Sequence, residues 1–343
     1  MEGAVDLVEI RRGGRIESLH RGHAVVADGT GQIVAAWGDP GAVVYPRSSS
    51  KMIQALPLIE SGAAEAFGLR TDQLALACAS HIGAACHTGR VRDWIADLGL
   101  SDDDFRCGAH EPGDREARDA LIRAGERPCQ YHNNCSGKHA GFLTVNRHLR
   151  GGAEYVEADH PVQRAVREAF EDVTGEVSPG YGIDGCSAPN FATTLAAMAR
   201  AMASFATAGR RGGVRAAAQA RLVAAMVAHP ELVAGERQAC TELMRGMGGR
   251  VAVKGGAEGF YVAILPDAGL GVALKIADGA GRASEAAIAQ ILIRLGALDP
   301  AGAAARGHVD MALRNWRGIT VGEIRAADGL RGGRIGPGGQ GRA

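Results

Sequence analysis

The spacing of apolar and polar residues predicts β-strands near both ends of the chain. Residues 7–10 and 23–28 are strand-like runs. The second run leads through a turn at Gly29-Thr30-Gly31 into residues 33–37, which predicts a β-hairpin. The pattern returns late in the chain, where three short β segments joined by turns are predicted at residues 250–254, 259–265 and 269–276.

Helical spacing dominates the middle of the chain. Residues 49–61 place apolar side chains on one helix face, and Pro57 inside this window is expected to bend the helix. Short loops rich in glycine and proline separate further predicted helices at residues 91–98, 116–124, 137–149, 161–174, 190–206, 214–228, 236–247 and 282–295.

The order of these elements predicts an α+β fold, because one antiparallel sheet can form from both chain ends with a large helical region between them. We predict a single domain over residues 1–328. Its sheet part covers about 1–45 and 248–328, and its helical part covers about 46–247. Residues 329–343 contain Gly, Arg and Pro with almost no apolar side chains, which predicts a disordered tail.

The composition is that of an ordinary globular protein, with 46% hydrophobic and 22% charged residues. The 38 basic and 38 acidic residues cancel, whereas non-specific nucleic-acid binding requires an excess of positive charge. The N-terminus lacks a signal-peptide pattern, and no stretch approaches the length of a membrane span. We therefore expect a cytoplasmic protein with no nucleic-acid or membrane partner. The odd count of 7 cysteines indicates free thiols rather than a disulfide framework.

A serine and a lysine with catalytic spacing mark the start of the first predicted helix. Ser48 and Lys51 are three residues apart, so the hydroxyl and the amine can meet on one helix face. A serine hydroxyl needs a neighbouring base, and a lysine serves as one when burial or another cation favours its neutral form. The motif alone favours serines that only cap a helix, because a Ser-x-x-Lys match arises by chance in a chain of this length.

A second lysine strengthens the catalytic interpretation. Lys254-Gly255-Gly256 ends a predicted strand, and serine acyl-transfer enzymes pair Ser-x-x-Lys with a late Lys-Thr-Gly on a strand. Gly255 stands where that pattern has threonine, and a strand end followed by a turn is the alternative. Ser80 and His81 follow an apolar run. They suit a cleft wall, although their spacing alone favours a helix end with a satisfied histidine.

Two polar clusters contain thiols. Cys135 lies in Asn-Asn-Cys-Ser-Gly-Lys-His, Cys186 lies in Asp-Gly-Cys-Ser-Ala-Pro-Asn, and each thiol is predicted at a helix N-terminus, where thiolate is favoured. Together the two thiolates could hold a borderline-soft metal such as zinc, completed by Lys138 or His139. Two helix caps with buried thiols, or a catalytic cysteine, are the alternatives.

These motifs together resemble the class 3, rhizobial-type L-asparaginases. The resemblance runs through roughly residues 5 to 325 and is carried by Ser48 to Ala55, Cys78 to His81, Cys107 to His110, Asn133 to Phe142, Gly182 to Pro189 and Lys254 to Gly259. The resemblance implies a fold similar to serine β-lactamases and serine-dependent glutaminases, in a homodimer. It also implies two Ser–Lys pairs in one site, Ser48 with Lys51 and Ser80 with Lys254.

The same resemblance implies one zinc ion per chain, held by Cys135, Lys138 and Cys186 with water. We expect it to organise the loops rather than to activate water.

Arg47, His81 and Asp184 are candidates for binding the α-groups of the substrate, with Asp184 on the ammonium. Cys240 stands where the family has a cysteine near the site.

The function implied is hydrolysis of L-asparagine to L-aspartate and ammonia through a Ser48 acyl-enzyme with a lysine general base. Another serine amidohydrolase remains an alternative, such as a glutaminase, because one substrate methylene discriminates modestly. A β-lactam-binding protein is a further alternative. A protein without enzymatic activity that senses zinc or redox state through Cys135 and Cys186 is the alternative outside catalysis.

Overall fold

The computed structural model describes residues 1–332 and residue 335. They fall into two compact units. The first comprises Met1–Ser49, Thr193–Thr207 and the residues from Glu242 onward, and the second comprises Ser50–Ala192 and Ala208–Thr241.

The strands differ in burial, because a strand covered on both faces is apolar throughout and a strand covered on one face alternates. In chain order they are β1 (Val5–Arg12), β2 (Arg15–Asp28), β3 (Ile33–Trp37), β4 (Val43–Val44), β5 (Tyr181–Ile183), β6 (Pro189–Phe191), β7 (Thr193–Thr194), β8 (Ala252–Gly256), β9 (Phe260–Leu265), β10 (Leu270–Ile276), β11 (Met311–Arg314) and β12 (Thr320–Ala326).

The helices fill the middle of the chain and return after β10. They are α1 (Lys51–Gln54), α2 (Leu56–Glu60), α3 (Ala63–Ala66), α4 (Thr71–Ala77), α5 (Ala85–Asp97), α6 (Arg115–Ala124), α7 (Ser136–Leu149), α8 (Pro161–Thr174), α9 (Leu195–Ala206), α10 (Val214–Ala228), α11 (Pro230–Val233), α12 (Ala239–Gly246), α13 (Gly281–Arg294), α14 (Ala303–His308) and α15 (Asp328–Arg331).

The first unit is built on an antiparallel sheet with strand order β11-β12-β1-β2-β10-β9-β8, and β3 pairs with β2. The predicted α+β class, with one sheet from both chain ends and a helical region between, is confirmed. The sequence did not predict β11, β12 or the first half of β2, because charged and polar residues interrupt the apolar pattern of β2 and β12, and β11 is only 4 residues long.

Helix α9 belongs to the sheet unit, although the sequence placed it in the helical part. It contacts β10 and β2. A Cβ atom on Gly271 of β10 would lie 2.1 Å from the nitrogen of Ala203 and 2.4 Å from the oxygen of Ala199, so this strand needs glycine there. Helix α13 also contacts β10, β9 and β1, and the core lies between these helices and the sheet.

Several predicted helices begin or break differently from the expectation, and two of them show why. The window 49–61 contains a 3-10 turn (Arg47–Ser50), α1 and α2, with Pro57 in the first turn of α2, where proline is tolerated. The helix predicted from residue 190 begins at Leu195, because β6 and β7 precede it and the Thr194 hydroxyl accepts from the nitrogen of Ala197 at 3.1 Å.

The predicted tail begins at Gly329, but α15 continues to Arg331 and Leu330 is buried. Apart from Gly332 and Ile335, the rest of that predicted tail lies outside the described residues. Among the described helices, none combines the length and apolar character that crossing a membrane requires.

Candidate active site

The turn that carries Ser48 is a strained piece of backbone in the first unit. Arg47 has φ +50°, which is uncommon for a residue with a side chain. Ser48 follows it half-buried, and Ser49 is fully buried. The Ser49 hydroxyl donates to the carbonyl oxygen of Lys254 at 2.9 Å. That hydrogen bond joins the Ser48 turn to β8.

The glycines after Lys254 permit this close approach. A Cβ atom on Gly256 would lie 2.9 Å from both the carbonyl oxygen of Pro46 and the hydroxyl of Ser49. A Cβ atom on Gly255 would lie 3.0 Å from the ring of Tyr261. Real Cβ contacts are essentially never below 3.0 Å, so a side chain on Gly256 would move the turn.

Lys254 is almost completely buried on β8, with 1% of its surface exposed. Its amine donates to the carbonyl oxygen of Gly255 at 2.7 Å. A buried amine needs partners for its N–H groups, and this carbonyl is one of them.

Lys51 lies in the second unit, where its amine is 2.9 Å from the hydroxyl of Ser80. It also donates to the carbonyl oxygen of Ala79, and that of Asn134 is 3.5 Å away. The side chain is 1% exposed. The backbone nitrogen of Ser80 donates to Val233 at 2.9 Å, which fixes the start of the Ser80–His81 segment.

Several residues of the Asn-Asn-Cys-Ser-Gly-Lys-His block stabilise the local structure. The Asn133 side chain accepts from the nitrogen of Cys135 at 2.8 Å. The same side chain donates to the carbonyl oxygens of Cys107 and Gly108, at 2.9 Å each. Gly137 lets α7 approach α4, because a Cβ atom there would lie 2.3 Å from the carbonyl oxygen of Leu76.

His81 is a buried neutral ring with both nitrogens engaged. Its Nδ1 accepts from the nitrogen of Gly83 at 3.1 Å, so its Nε2 carries the proton and donates to Ser136 at 2.9 Å. Burial, then the nearby His87 and Lys51, hold the pKa of His81 well below its usual value. The ring therefore orders the Ser80–His81 segment, and direct contact of His81 with substrate stays a prediction.

Cys135, Lys138 and Cys186 meet in the interior of the second unit. The Lys138 amine is 2.9 Å from the sulfur of Cys186, and all three side chains are at most 4% exposed. A hydrogen bond from Cys135 lowers the pKa of Cys186 to about 4, against the effect of burial and with help from Lys138. The same bond, together with burial, raises the pKa of Cys135 to about 12.

The Lys138 side chain is cationic in this arrangement. Burial acts to lower its pKa, but the sulfurs of Cys186 and Cys135 outweigh burial and raise it. Without a metal ion the cluster is thus a buried thiolate–ammonium pair beside one thiol.

This donor set fits zinc in its chemistry, since two sulfurs and one nitrogen converge in a buried position. The Nδ1 of His139 is 2.9 Å from the Tyr155 hydroxyl, and its Nε2 is buried without a hydrogen-bond partner among the described residues. Over the described residues, no group of three or more His, Cys, Asp and Glu side chains is arranged to hold a metal.

The segment around Cys186 differs from the sequence prediction. It precedes β6 rather than a helix, because residues 184–188 form a turn between β5 and β6. In this turn the nitrogen of Asp184 donates to the carbonyl oxygen of Ala188 at 2.9 Å, and Ser187 has φ +69°. The half-buried Asp184 raises the pKa of Lys138, as the last of several causes. Asp184 as the ammonium ligand, and a role for the buried Cys240, stay predictions.

The structure thus brings Lys51 to Ser80 in one unit, and the Ser48 turn to the Lys254 strand in the other. The predicted pairs Ser48–Lys51 and Ser80–Lys254 each join residues of different units and stay predictions. Sequence reasoning missed Ser49 and Gly256 as supports of the site. The second glycine after Lys254 was the sequence feature that could have indicated this close approach.

One protein family and several solved structures are similar to this chain. A family model described as L-asparaginase II matches residues 8–326. The solved structure of a protein named Mglu in its native form has a TM-score of 0.47 and 15% identity, covering 86% of this chain and 69% of that chain. A β-lactamase from Mycobacterium bovis has a TM-score of 0.34 and 15% identity, covering 79% and 94%.

In other Mglu structures the chain spans 57% to 64% of their length. No curated protein matches the chain.

Proposed function

Because the chain belongs to the L-asparaginase II family and is an asparaginase-type amidohydrolase, we propose that it hydrolyses L-asparagine through an acyl-enzyme on Ser48. We assign it to the class 3, serine- and lysine-dependent type. The observation that carries this proposal is the buried Lys51 amine, 2.9 Å from the hydroxyl of Ser80 and three residues after Ser48.

The surroundings of Lys51 suit a general base. A neutral amine has two N–H groups and one lone pair. In the neutral form that the proposed mechanism requires, the carbonyl oxygens of Ala79 and Asn134 would take these two N–H groups. The lone pair is then left for a serine hydroxyl, and Ser80 is within reach.

The proposed reaction has two steps. Ser48 Oγ attacks the side-chain amide carbon of asparagine while its proton passes to the lysine amine. The amide nitrogen takes up a proton as the C–N bond breaks, and ammonia leaves a β-aspartyl ester on Ser48. Water then attacks the ester, the lysine takes the proton of the water, and L-aspartate leaves as that proton returns to Ser48.

Binding of the zwitterionic substrate would involve Arg47 on the carboxylate and Asp184 on the ammonium, with His81 in support. Arg47 directly precedes the proposed nucleophile in the chain. Its φ of +50° sets the direction in which its side chain leaves the turn. Zinc would be held by Cys135, Lys138 and Cys186 with water, and when bound it would organise these loops and help to position substrate. The homodimer implied by the resemblance belongs to this proposal, and sedimentation of the intact chain tests it.

A trapped acyl-enzyme is the direct test. The protein is acid-quenched during turnover, and the modified peptide is identified by mass spectrometry. We expect the adduct on Ser48 and loss of ammonia release in Ser48→Ala. An adduct on Ser80 would exchange the two serine roles, and equal turnover in wild type and Ser48→Ala would remove Ser48 from the mechanism. Ammonia release from asparagine and from glutamine, and turnover of a chromogenic β-lactam, define the substrate.

Metal content is a separate test of the zinc assignment. Metal analysis by mass spectrometry should find one zinc per chain in the wild type and none in Cys186→Ser. Cys86→Ser, which removes an exposed thiol, is the control and should keep the metal. A zinc-free wild type after growth in zinc-supplemented medium would contradict the assignment.

A further inference from the structure

A second buried histidine lies beside the Ser80–His81 segment. His87 belongs to helix α5, and its ring stacks on the ring of His81, with 4.8 Å between the centroids and 7° between the planes. His87 is 1% exposed and His81 is 2% exposed. The two rings therefore pack against each other in the interior of the second unit. The proposed acyl-enzyme reaction assigns no role to His87.

His87 also binds the one-turn helix α11. Its Nε2 is 2.9 Å from the carbonyl oxygen of Glu231. A carbonyl oxygen only accepts, so this nitrogen carries the proton and donates. Two residues further along, the carbonyl oxygen of Val233 accepts from the backbone nitrogen of Ser80 at 2.9 Å. Helix α11 thus holds Ser80 through its backbone, and it holds the neighbouring His81 ring through His87.

These contacts form a closed ring. The path runs from Ser80 to Val233, along α11 to Glu231, across to His87, and back to Ser80 through the stacked ring of His81. Every member of the path lies in the second unit. Removal of His87 would open this path and leave the His81 ring without the support of α11.

Two further contacts fix α11 against the same segment. The buried hydroxyl of Thr241 lies 3.0 Å from the carbonyl oxygen of Pro230 and 2.6 Å from that of Gly235, within donating distance of each. A Cβ atom on Gly235 would lie 2.5 Å from the side chain of Ile82, so Ile82 packs directly on the backbone that follows α11. Helix α11 is therefore a fixed support for the chain around Ser80.

The contribution of His87 is one of geometry rather than of charge. Burial lowers the pKa of His87, against the opposing effects of its hydrogen bond to Glu231 and of nearby Asp114. Burial also lowers the pKa of His81. Two neutral rings stack without the repulsion that a charged pair would suffer.

We propose that His87 is a positioning residue for Ser80. By holding the His81 ring against α11, His87 keeps the Ser80 hydroxyl 2.9 Å from the Lys51 amine. A displacement of about 1 Å at such a contact lowers turnover by about 10²-fold. The kinetic part of this inference rests on the proposed function, because it requires that Ser80 and Lys51 take part in the reaction.

Three variants separate the two contacts of His87. His87→Ala removes both, His87→Phe keeps a ring but loses the donor, and His87→Gln keeps an N–H donor but loses the ring. We expect His87→Ala to lower kcat for asparagine by about tenfold or more, with KM unchanged within about twofold. The kcat values of His87→Phe and His87→Gln should lie between those of His87→Ala and the wild type, as partial rescue requires.

His20→Ala is the matched control. His20 is also a buried histidine with a bonded ring nitrogen, 2.6 Å from Asp278, but it lies in the first unit. Its loss should lower stability and leave kcat unchanged. Wild-type kcat in folded His87→Ala overturns the proposal, as does an equal fall of kcat in His20→Ala. If His87→Ala does not fold, wild-type kcat in both His87→Phe and His87→Gln overturns it.

Crystal structures of the wild type and the folded His87 variants test the positioning role without reference to activity. We expect the Ser80 hydroxyl to lie more than about 3.5 Å from the Lys51 amine in His87→Ala, beyond hydrogen-bond distance. An unchanged position of Ser80 in every folded variant overturns the proposal. A wild type that releases no ammonia from asparagine contradicts the proposed function instead, and the crystal structures then decide the role of His87.

Discussion

The Ser48 turn and the Cys135 segment hold their candidate site residues in different ways. The turn depends on one buried hydroxyl, Ser49, and on the missing side chain of Gly256. The Cys135 segment depends on several side-chain hydrogen bonds from Asn133 and Ser136. One added methyl group at the point of close approach would displace the turn, whereas a hydrogen-bond network distributes the loss of one member.

Replacement of Lys51 should have the largest effect. We expect Lys51→Met to lower kcat by about 10²- to 10⁴-fold, because it removes the proposed base. Lys275→Met is the matched control, since Lys275 also donates to two backbone carbonyls but lies outside the site. Steady-state ammonia release measures both. Similar kcat values in the two variants would place the base elsewhere.

Gly256→Ala tests the turn by steric displacement. Its methyl group would meet Pro46 and Ser49 at 2.9 Å, so we expect kcat to fall by roughly 10²-fold as Ser48 moves. Overpacking should also lower the free energy of unfolding by about 1–3 kcal/mol. Gly89→Ala is the control, because nothing lies within 4 Å of the added atom. Kinetics and denaturant melts are compared, and unchanged kcat in Gly256→Ala would show that the turn tolerates the methyl group.

Ser49→Ala tests the same turn by removing its hydrogen bond. We expect kcat to fall roughly tenfold and the free energy of unfolding to fall by about 1 kcal/mol. Ser284→Ala is the matched control. The buried Ser284 donates to the carbonyl oxygen of Gly281 at 2.9 Å, and it lies outside the candidate site. Equal kinetic effects in both variants would contradict a positioning role for Ser49.

The pH dependence of stability tests the Cys135 segment. Of the predictions made here, this one concerns the smallest expected effect on turnover. The pKa of Cys186 is lowered to about 4 from an ordinary value of 9.0. The contribution of the Cys186 thiolate to the free energy of unfolding is therefore complete when the pH is above the ordinary pKa. It is lost as the pH falls through about 4. Cys135, with a pKa raised to about 12, contributes in the opposite sense and loses its contribution as the pH rises toward that value.

Denaturant melts of chelator-treated protein between pH 4 and 9 measure this effect. We expect the acid limb of stability to flatten in Cys186→Ser and to persist in the control Cys86→Ser. An unchanged slope in Cys186→Ser would mean that Cys186 is not a thiolate in the folded protein.

The sequence predicted the parts of the fold that rest on local periodicity. Strand β9 is continuously apolar and β10 is interrupted only by Lys275, and their predicted bounds agree closely with the structure. Strand β11 alternates between half-buried and exposed residues and contains arginine, so its signal is weak. The predicted start of the helix after Cys186 was wrong, because Pro189 begins a strand that pairs with β5, a contact that periodicity does not report.

The candidate site was predictable in its residue types but not in its supports. Ser48, Lys51 and Lys254 stand out by motif. Ser49 and Gly256 matter because a turn and a strand 205 residues apart come together, and a close approach of this kind has no local signature. The contact of Lys51 with Ser80 likewise depends on tertiary structure.

The position of β1 between β2 and β12 has a consequence for synthesis of the chain. Val8 pairs with Ala326, so β1 leaves the ribosome roughly 15 to 60 s before its second partner. During that interval the edges of β1 and β2 are open to pairing with other nascent chains. The yield of correctly folded protein should therefore depend on translation speed and on chaperones that cover the first hairpin.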